Sequence, residues 1–133
     1  MDGRDGMDHA RRIVLIDDSR LTLQVMSTTL ETAGFDVRAV QTLQQFVNAV
    51  IDWKPHMIVT DLYMPEMSGA ELCTWLRGQV ATSRTPIVIW SSATPGELAD
   101  IARTAGADAF VSKDDGAEAL TSRLTEMCEE IVF

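Results

Sequence analysis

Three short stretches of the chain are apolar almost without interruption: Ile13-Val14-Leu15-Ile16, Met57-Ile58-Val59 and Ile87-Val88-Ile89-Trp90. Runs of this length, rich in β-branched residues, predict strands covered on both faces, as in a parallel sheet. Two weaker runs predict edge strands. Phe35 to Val40 starts by alternating apolar with polar residues, and Ala107 to Ser112 is short and mixed. Segments of helical period separate them. Leu23, Met26, Leu30 and Ala33 share one face, with Gly34 behind them as a left-handed cap. Leu43, Phe46, Val47 and Val50 follow Thr42, which pairs with Gln45 as a capping box. Ser68 with Glu71 opens a third helix carrying Leu72, Trp75 and Leu76. Thr94, Pro95 and Glu97 form a strong start signal before Leu98, Ile101, Ala102 and Ala105, and Gly106 stops that helix. The last helix places Leu120, Leu124, Met127 and Ile131 on one face, with Asp115 and Glu118 near its start.

Strand followed by helix, five times over, predicts an α/β fold with a parallel sheet and helices on both faces. Right-handed crossovers leave few windings. The flavodoxin-like, doubly wound order 2-1-3-4-5 with five helices fits best, because it puts the two amphipathic strands at the edges. Residues 1–11 read as a polar leader and 12–133 as one domain, and the initial methionine and the leader favour an intact small protein over the alternative of a piece cut from a longer one.

Composition narrows the function. Apolar residues make up 46% and charged residues 23% of 133 positions, as in an ordinary globular domain. A formal net charge of −9 opposes direct contact with nucleic acid or an anionic membrane surface, both of which need clustered Lys and Arg. No apolar run has the length of a membrane span, and the start lacks a signal peptide. Cys73 and Cys128 are too few and too far apart for a disulfide framework or a zinc site. They read as buried or half-buried thiols in a cytoplasmic protein. Trp75 and Trp90 read as core, and Trp53 as the end of the second helix.

In a sheet of this order, ligands bind beyond the carboxyl ends of the strands, where the winding reverses between strands 1 and 3. Strand 1 runs into Asp17-Asp18 and strand 3 into Asp61, so three carboxylates converge there. Two carboxylates about 5 Å apart repel by about 3 kcal/mol at an effective dielectric of about 20. Three together call for protons or a hard cation, and magnesium takes such oxygen ligands while keeping waters that a phosphate displaces. Strand 4 ends in Ser91-Ser92 and strand 5 in Ser112-Lys113, on the same edge. A hydroxyl and an ammonium there suit the oxygens of a phosphoryl group. Taken singly, Asp18 reads as a helix cap, Ser91 as a turn residue and Lys113 as a solvated lysine. Their common position argues for a site.

From Arg12 to Ile131 the chain resembles the receiver domain of bacterial two-component response regulators. The most specific stretch is Asp61-Leu62-Tyr63-Met64-Pro65-Glu66-Met67-Ser68-Gly69, which is similar to the family's phosphorylation loop. The pair Asp17-Asp18, the hydroxyl at Ser91 and Lys113 match in order and spacing. The resemblance implies that Asp61 accepts phosphoryl from a phosphohistidine on a sensor histidine kinase or histidine phosphotransfer protein. It implies Mg2+ held by Asp17, Asp18, Asp61 and the backbone carbonyl of Tyr63, with Lys113 paired to the phosphoryl oxygens. Ser91 and Phe110 would act as the switch, and the face of helix 4, strand 5 and helix 5 would engage a downstream protein target. The chain would then be a phosphoacceptor that also dephosphorylates itself, rather than a multiple-turnover enzyme.

Three positions depart from the family's commoner residues. Lys113-Asp114 replaces Lys-Pro, where a cis bond without proline would cost about 2.5–4 kcal/mol. Asp114 and Asp115 add negative charge near Lys113. Ser91 stands for threonine, and Phe110 for tyrosine. The positions that tune phosphoryl lifetime in relatives are Tyr63 and Ala93, and bulky Tyr63 is expected to hinder the attacking water. Three other readings compete: an interaction module that is never phosphorylated, a flavodoxin-like cofactor protein, and a phosphatase with an aspartate nucleophile. The second lacks a Gly/Ser/Thr phosphate loop after strand 1. The third lacks the alternating acidic spacing at Asp17-Asp18-Ser19.

Overall fold

The computed structural model describes residues 10–130, apart from the side chain of Pro95. In chain order they form β1 (Arg12–Ile16), α1 (Arg20–Thr32), β2 (Asp36–Val40), α2 (Leu43–Trp53), β3 (Met57–Asp61) and α3 (Gly69–Arg77). There follow β4 (Ile87–Ser91), α4 (Pro95–Ala105), β5 (Ala109–Ser112), a 3-10 turn (Lys113–Asp115) and α5 (Ala117–Glu130). The five strands pair in parallel in the order β2-β1-β3-β4-β5, as the pattern predicts. Positions 1–9 of the expected leader 1–11 and the Ile131 position of the last helix lie outside the described residues.

Successive strand residues feed opposite sides of the sheet, which is why the three central runs are apolar at every position. Ile13, Leu15, Met57, Val59, Val88 and Trp90 pack with Leu23, Met26 and Leu30 of α1 and Leu120, Leu124 and Met127 of α5. Val14, Ile16, Ile58 and Ile87 pack on the other side with Phe46 of α2 and Leu72, Cys73 and Leu76 of α3. A third cluster joins Leu62, just past β3, to Ile89, Leu98 and Ala102. The edge strands are less covered: β2 has no fully buried residue, and Phe110 of β5 is 37% exposed.

The expected helix starts all form. Thr42 and Ser68 close full capping boxes with Gln45 and Glu71, and Thr94 caps α4 at Glu97 N–H. Gly34 and Gly106 adopt the left-handed backbone expected behind α1 and α4. Cys73 is buried and Cys128 half-buried, in line with their reading as buried or half-buried thiols. Trp90 is core, but the expectation for Trp75 fails. It is 41% exposed and lines an open groove between α3 and α4, because Leu72, Cys73 and Leu76 already occupy the face of α3 that meets the sheet. Among the described residues no helix is long and apolar enough to cross a membrane.

Candidate functional site

The crevice is built where β1 and β3 finish side by side, with Ile16 opposite Thr60 in register. Asp17 follows β1 directly and is fully buried. Its carboxylate is fixed on both oxygens: Oδ1 accepts the Ser19 N–H at 2.9 Å and Oδ2 accepts Lys113 Nζ at 2.8 Å. Ser19, not Asp18, caps α1, its hydroxyl accepting the Thr22 N–H. Asp18 is exposed, and with Ser19 at the N-cap it is not the capping residue of α1.

Asp61 is the last residue of β3 and is buried. Its Oδ1 accepts the Leu62 N–H at 2.8 Å and lies 3.4 Å from Lys113 Nζ. Its backbone is held too. Thr60 Oγ1 donates to the Asp61 carbonyl at 2.8 Å, and the Gly69 N–H to the Leu62 carbonyl at 2.8 Å. The first residue of α3 thus sits directly against the Asp61 loop. A Cβ added at Gly69 would fall 2.2 Å from the Asp61 carbonyl oxygen, so only glycine allows this approach.

One oxygen from each of Asp17, Asp18 and Asp61 lies within 4.8 Å of the other two. Burial, and then the charge of Asp17, push the Asp61 carboxyl above its ordinary range, against the opposing pull of Lys113. For Lys113, burial pushes down, but the hydrogen bond to Asp17 and the charges of Asp61 and Asp17 outweigh it and raise the ammonium. The donor set suits a hard divalent ion. Ligand oxygens around magnesium at about 2.1 Å stand roughly 3–4.2 Å apart, so these three need close only slightly. The Tyr63 carbonyl follows in the same loop, and its side chain is 60% exposed.

Ser91 ends β4, fully buried, with its Oγ accepting the Ala93 N–H at 3.3 Å. It pairs in register with Ser112, the residue before Lys113. The Lys113–Asp114 bond is trans. An Asp there has an N–H to satisfy where proline has none, and Ser112 Oγ accepts it at 3.2 Å, starting the 3-10 turn. Asp114 and Asp115 are exposed on that turn, while Lys113 points back to Asp17 and Asp61. Two residues beside the crevice escape the sequence patterns. Glu66 Oε1 accepts the Leu43 N–H of α2 at 2.9 Å, and Gln41 Nε2 donates to the Asp18 carbonyl at 3.3 Å. The one available signal was that α2 has no acidic residue in its own first turn.

The family profile described as response regulator receiver domain matches residues 13–125. Among curated proteins, the transcriptional regulatory protein GltR of Pseudomonas aeruginosa is 26% identical over 125 residues, 94% of this chain and 52% of that protein. The chemotaxis protein CheV1 of Helicobacter pylori is 34% identical over 113 residues, 80% of this chain and 35% of that protein. The chain thus spans about half the length, or less, of the curated relatives it matches. Among solved structures, the signal receiver domain of a signal transduction histidine kinase from Syntrophus aciditrophicus superposes with a TM-score of 0.81. It is 25% identical, with 92% of each chain covered. The chemotaxis response regulator CheY4 of Vibrio cholerae gives 0.80 at 26% identity, over 88% of this chain and 98% of that one.

Proposed function

The chain belongs to the response regulator receiver family, and from that premise we propose that Asp61 accepts a phosphoryl group from a phosphohistidine protein and that the change of state is read by a protein partner. One observation carries the reading. Three carboxylate oxygens from Asp17, Asp18 and Asp61 lie within 4.8 Å of one another, with the Lys113 ammonium bridging two of those carboxylates.

In the transfer, an Asp61 carboxylate oxygen forms the new bond to phosphorus. The bond from phosphorus to the donor imidazole nitrogen breaks, and its electron pair stays on that nitrogen, which takes up a proton. Asp17, Asp18, Asp61 and the Tyr63 carbonyl would hold Mg2+, which when bound offsets charge on the phosphoryl oxygens. Everything else falls to the chain itself. Leu62 N–H and the Gly69 contact hold the nucleophile in place. Lys113 neutralises charge on the transferred group. Self-dephosphorylation is the same site working with water as the acceptor.

The acyl phosphate adds charge and strong acceptor oxygens beside Ser91. Breaking the 3.3 Å contact with Ala93 N–H frees the Ser91 hydroxyl to turn toward them. The loop that moves leads straight into α4, and Phe110 on neighbouring β5 is already partly exposed, able to turn inward as the serine leaves. Packing then carries the change to the face of α4, β5 and α5, where a target protein binds.

The test is to incubate the full chain with acetyl phosphate and Mg2+ and follow its mass. One phosphoryl addition is expected, lost in Asp61→Asn and on chelation with EDTA. An unchanged mass for the wild-type chain overturns the reading in favour of a module that works by contact alone.

A further inference from the structure

The segment between β2 and α2 touches both banks of the acidic crevice. At the last residue of β2, the Val40 carbonyl accepts the Asp17 N–H at 3.2 Å. Gln41 reaches from the same segment to the Asp18 carbonyl at 3.3 Å. Two residues on, the Leu43 N–H, first in α2, donates to Glu66 at 2.9 Å. Glu66 lies in the loop that carries Asp61 to α3, three residues after Tyr63. Met64 and Met67 on either side of it pack against the cluster that holds Phe46 of α2.

These contacts are more than local capping. A helix start leaves its first N–H groups without partners and favours a negative charge. Here Gln45 Oε1 takes the Gln41 and Thr42 N–H groups, and Thr42 Oγ1 takes that of Gln45. The Leu43 N–H is left to a residue 23 positions away, and α2 has no acid of its own in its first turn. The carboxylate that suits this end of the helix comes from the phosphoacceptor loop.

We infer that Gln41 and Glu66 are positioning residues: they fasten the Asp18 bank and the Tyr63 loop to the start of α2, and so set the spacing, and the divalent-cation affinity, of the Asp17, Asp18 and Asp61 cluster. The inference rests on the metal-dependent reading of that cluster. Neither residue touches the cation. Each acts on a segment that holds a ligand, and a loop released from α2 has to be ordered again when the ion binds.

The test measures Mg2+ dissociation constants by titration calorimetry on the full, unphosphorylated chain. Glu66→Ala is expected to weaken binding about two- to fivefold, the scale of the net contribution of one hydrogen bond. Gln41→Ala should act in the same direction. Glu66→Gln keeps an acceptor oxygen for Leu43 N–H and should restore most of the affinity, which separates the strap from the long-range pull of a carboxylate on the ion. Thr42→Ala weakens the same helix end without touching the loop. It should lower the melting temperature yet leave Mg2+ affinity unchanged. Equal loss in Glu66→Ala and Thr42→Ala, or none in Glu66→Ala, overturns the inference while wild-type binding still supports the site. Absence of Mg2+ binding by the wild-type chain overturns both.

Discussion

Gly69→Ala tests how closely α3 must approach the Asp61 loop. The added methyl would stand 2.2 Å from the Asp61 carbonyl oxygen, 3.0 Å from Leu62 Cα and 3.1 Å from Asp61 C, all of them backbone atoms. Ordinary contact at about 3.4 Å requires the loop or the helix start to move by roughly 1 Å, and overpacking of this kind costs about 1–3 kcal/mol. Alanine returns at most about 1 kcal/mol through better helix propensity. The net expectation is a loss of about 1–2 kcal/mol in urea denaturation. The consequence for chemistry is larger, since a misplacement of about 1 Å at a reacting group costs on the order of a hundredfold in rate. Phosphorylation by acetyl phosphate, followed by mass, should therefore slow far more than stability alone explains. Gly96→Ala is the internal control: nothing lies within 4 Å of its added Cβ, so it should be neutral or gain up to about 1 kcal/mol. Wild-type stability and rate in Gly69→Ala would refute the reasoning.

Four other outcomes follow from the geometry. The carboxyl of Asp61 is raised by burial and by Asp17, so its contribution to stability is present below the unfolded carboxylate range and lost as pH rises through the folded value. In EDTA at pH 7, Asp61→Asn should raise the melting temperature by roughly 3–5 °C per kcal/mol relieved, and the advantage should shrink toward pH 4; a lowered melting temperature at pH 7 contradicts this. His56 is pushed down by burial and by the charges of Arg12 and Arg11, and its Nδ1 accepts the Arg12 N–H at 2.9 Å. Its contribution is present above the ordinary histidine value and lost as pH falls through the lowered one, so His56→Asn should flatten the drop in melting temperature below about pH 6.5. Tyr63→Asn should quicken hydrolysis of the phosphorylated chain, measured as loss of the added mass with time, and an unchanged half-life counts against steric shielding by Tyr63. Lys113→Met removes the ammonium that competes for Asp17, so it should bind Mg2+ more tightly by calorimetry while taking up phosphoryl more slowly; weaker Mg2+ binding would contradict the competition.

The sheet and its order were legible because burial on both faces leaves no alternation to misread: every position of β3 and β4 is buried. Asp17, Asp61 and Lys113 were legible for a related reason, since each sits at or just past a strand end and parallel winding fixes which ends meet. The tryptophans show where this stops. Trp75 and Trp90 have similar apolar neighbours in the sequence, yet only Trp90 lies in a strand whose two faces are both covered. Trp75 lies on a helix whose inward stripe was already filled. Glu66 and Gln41 were hidden differently. Their partners, Leu43 N–H and the Asp18 carbonyl, are backbone groups 23 residues away, and no side-chain pattern marks a backbone partner at that distance.

Charge explains why the crevice needs all of its parts. Asp17 is satisfied before any ligand arrives, by Ser19 N–H on one oxygen and Lys113 on the other. Lys113 stands nearer to Asp17 than to Asp61, 2.8 against 3.4 Å. On the proposed reading, phosphorylation at Asp61 would add about one further negative charge beside the Lys113 ammonium. If Lys113 turned to the phosphoryl oxygens alone, it would leave Asp17 buried with a charge and half its partners, a loss of several kcal/mol. Asp17, Asp18 and Asp61 could hold a divalent ion, whose charge would relieve that conflict by offsetting Asp17 as the lysine turns. On that reading the lysine and the cation would not be two redundant positive charges. A cation on Asp17 would free the lysine to serve Asp61, and the phosphorylated state would then depend on metal and lysine together rather than on any single residue of the crevice.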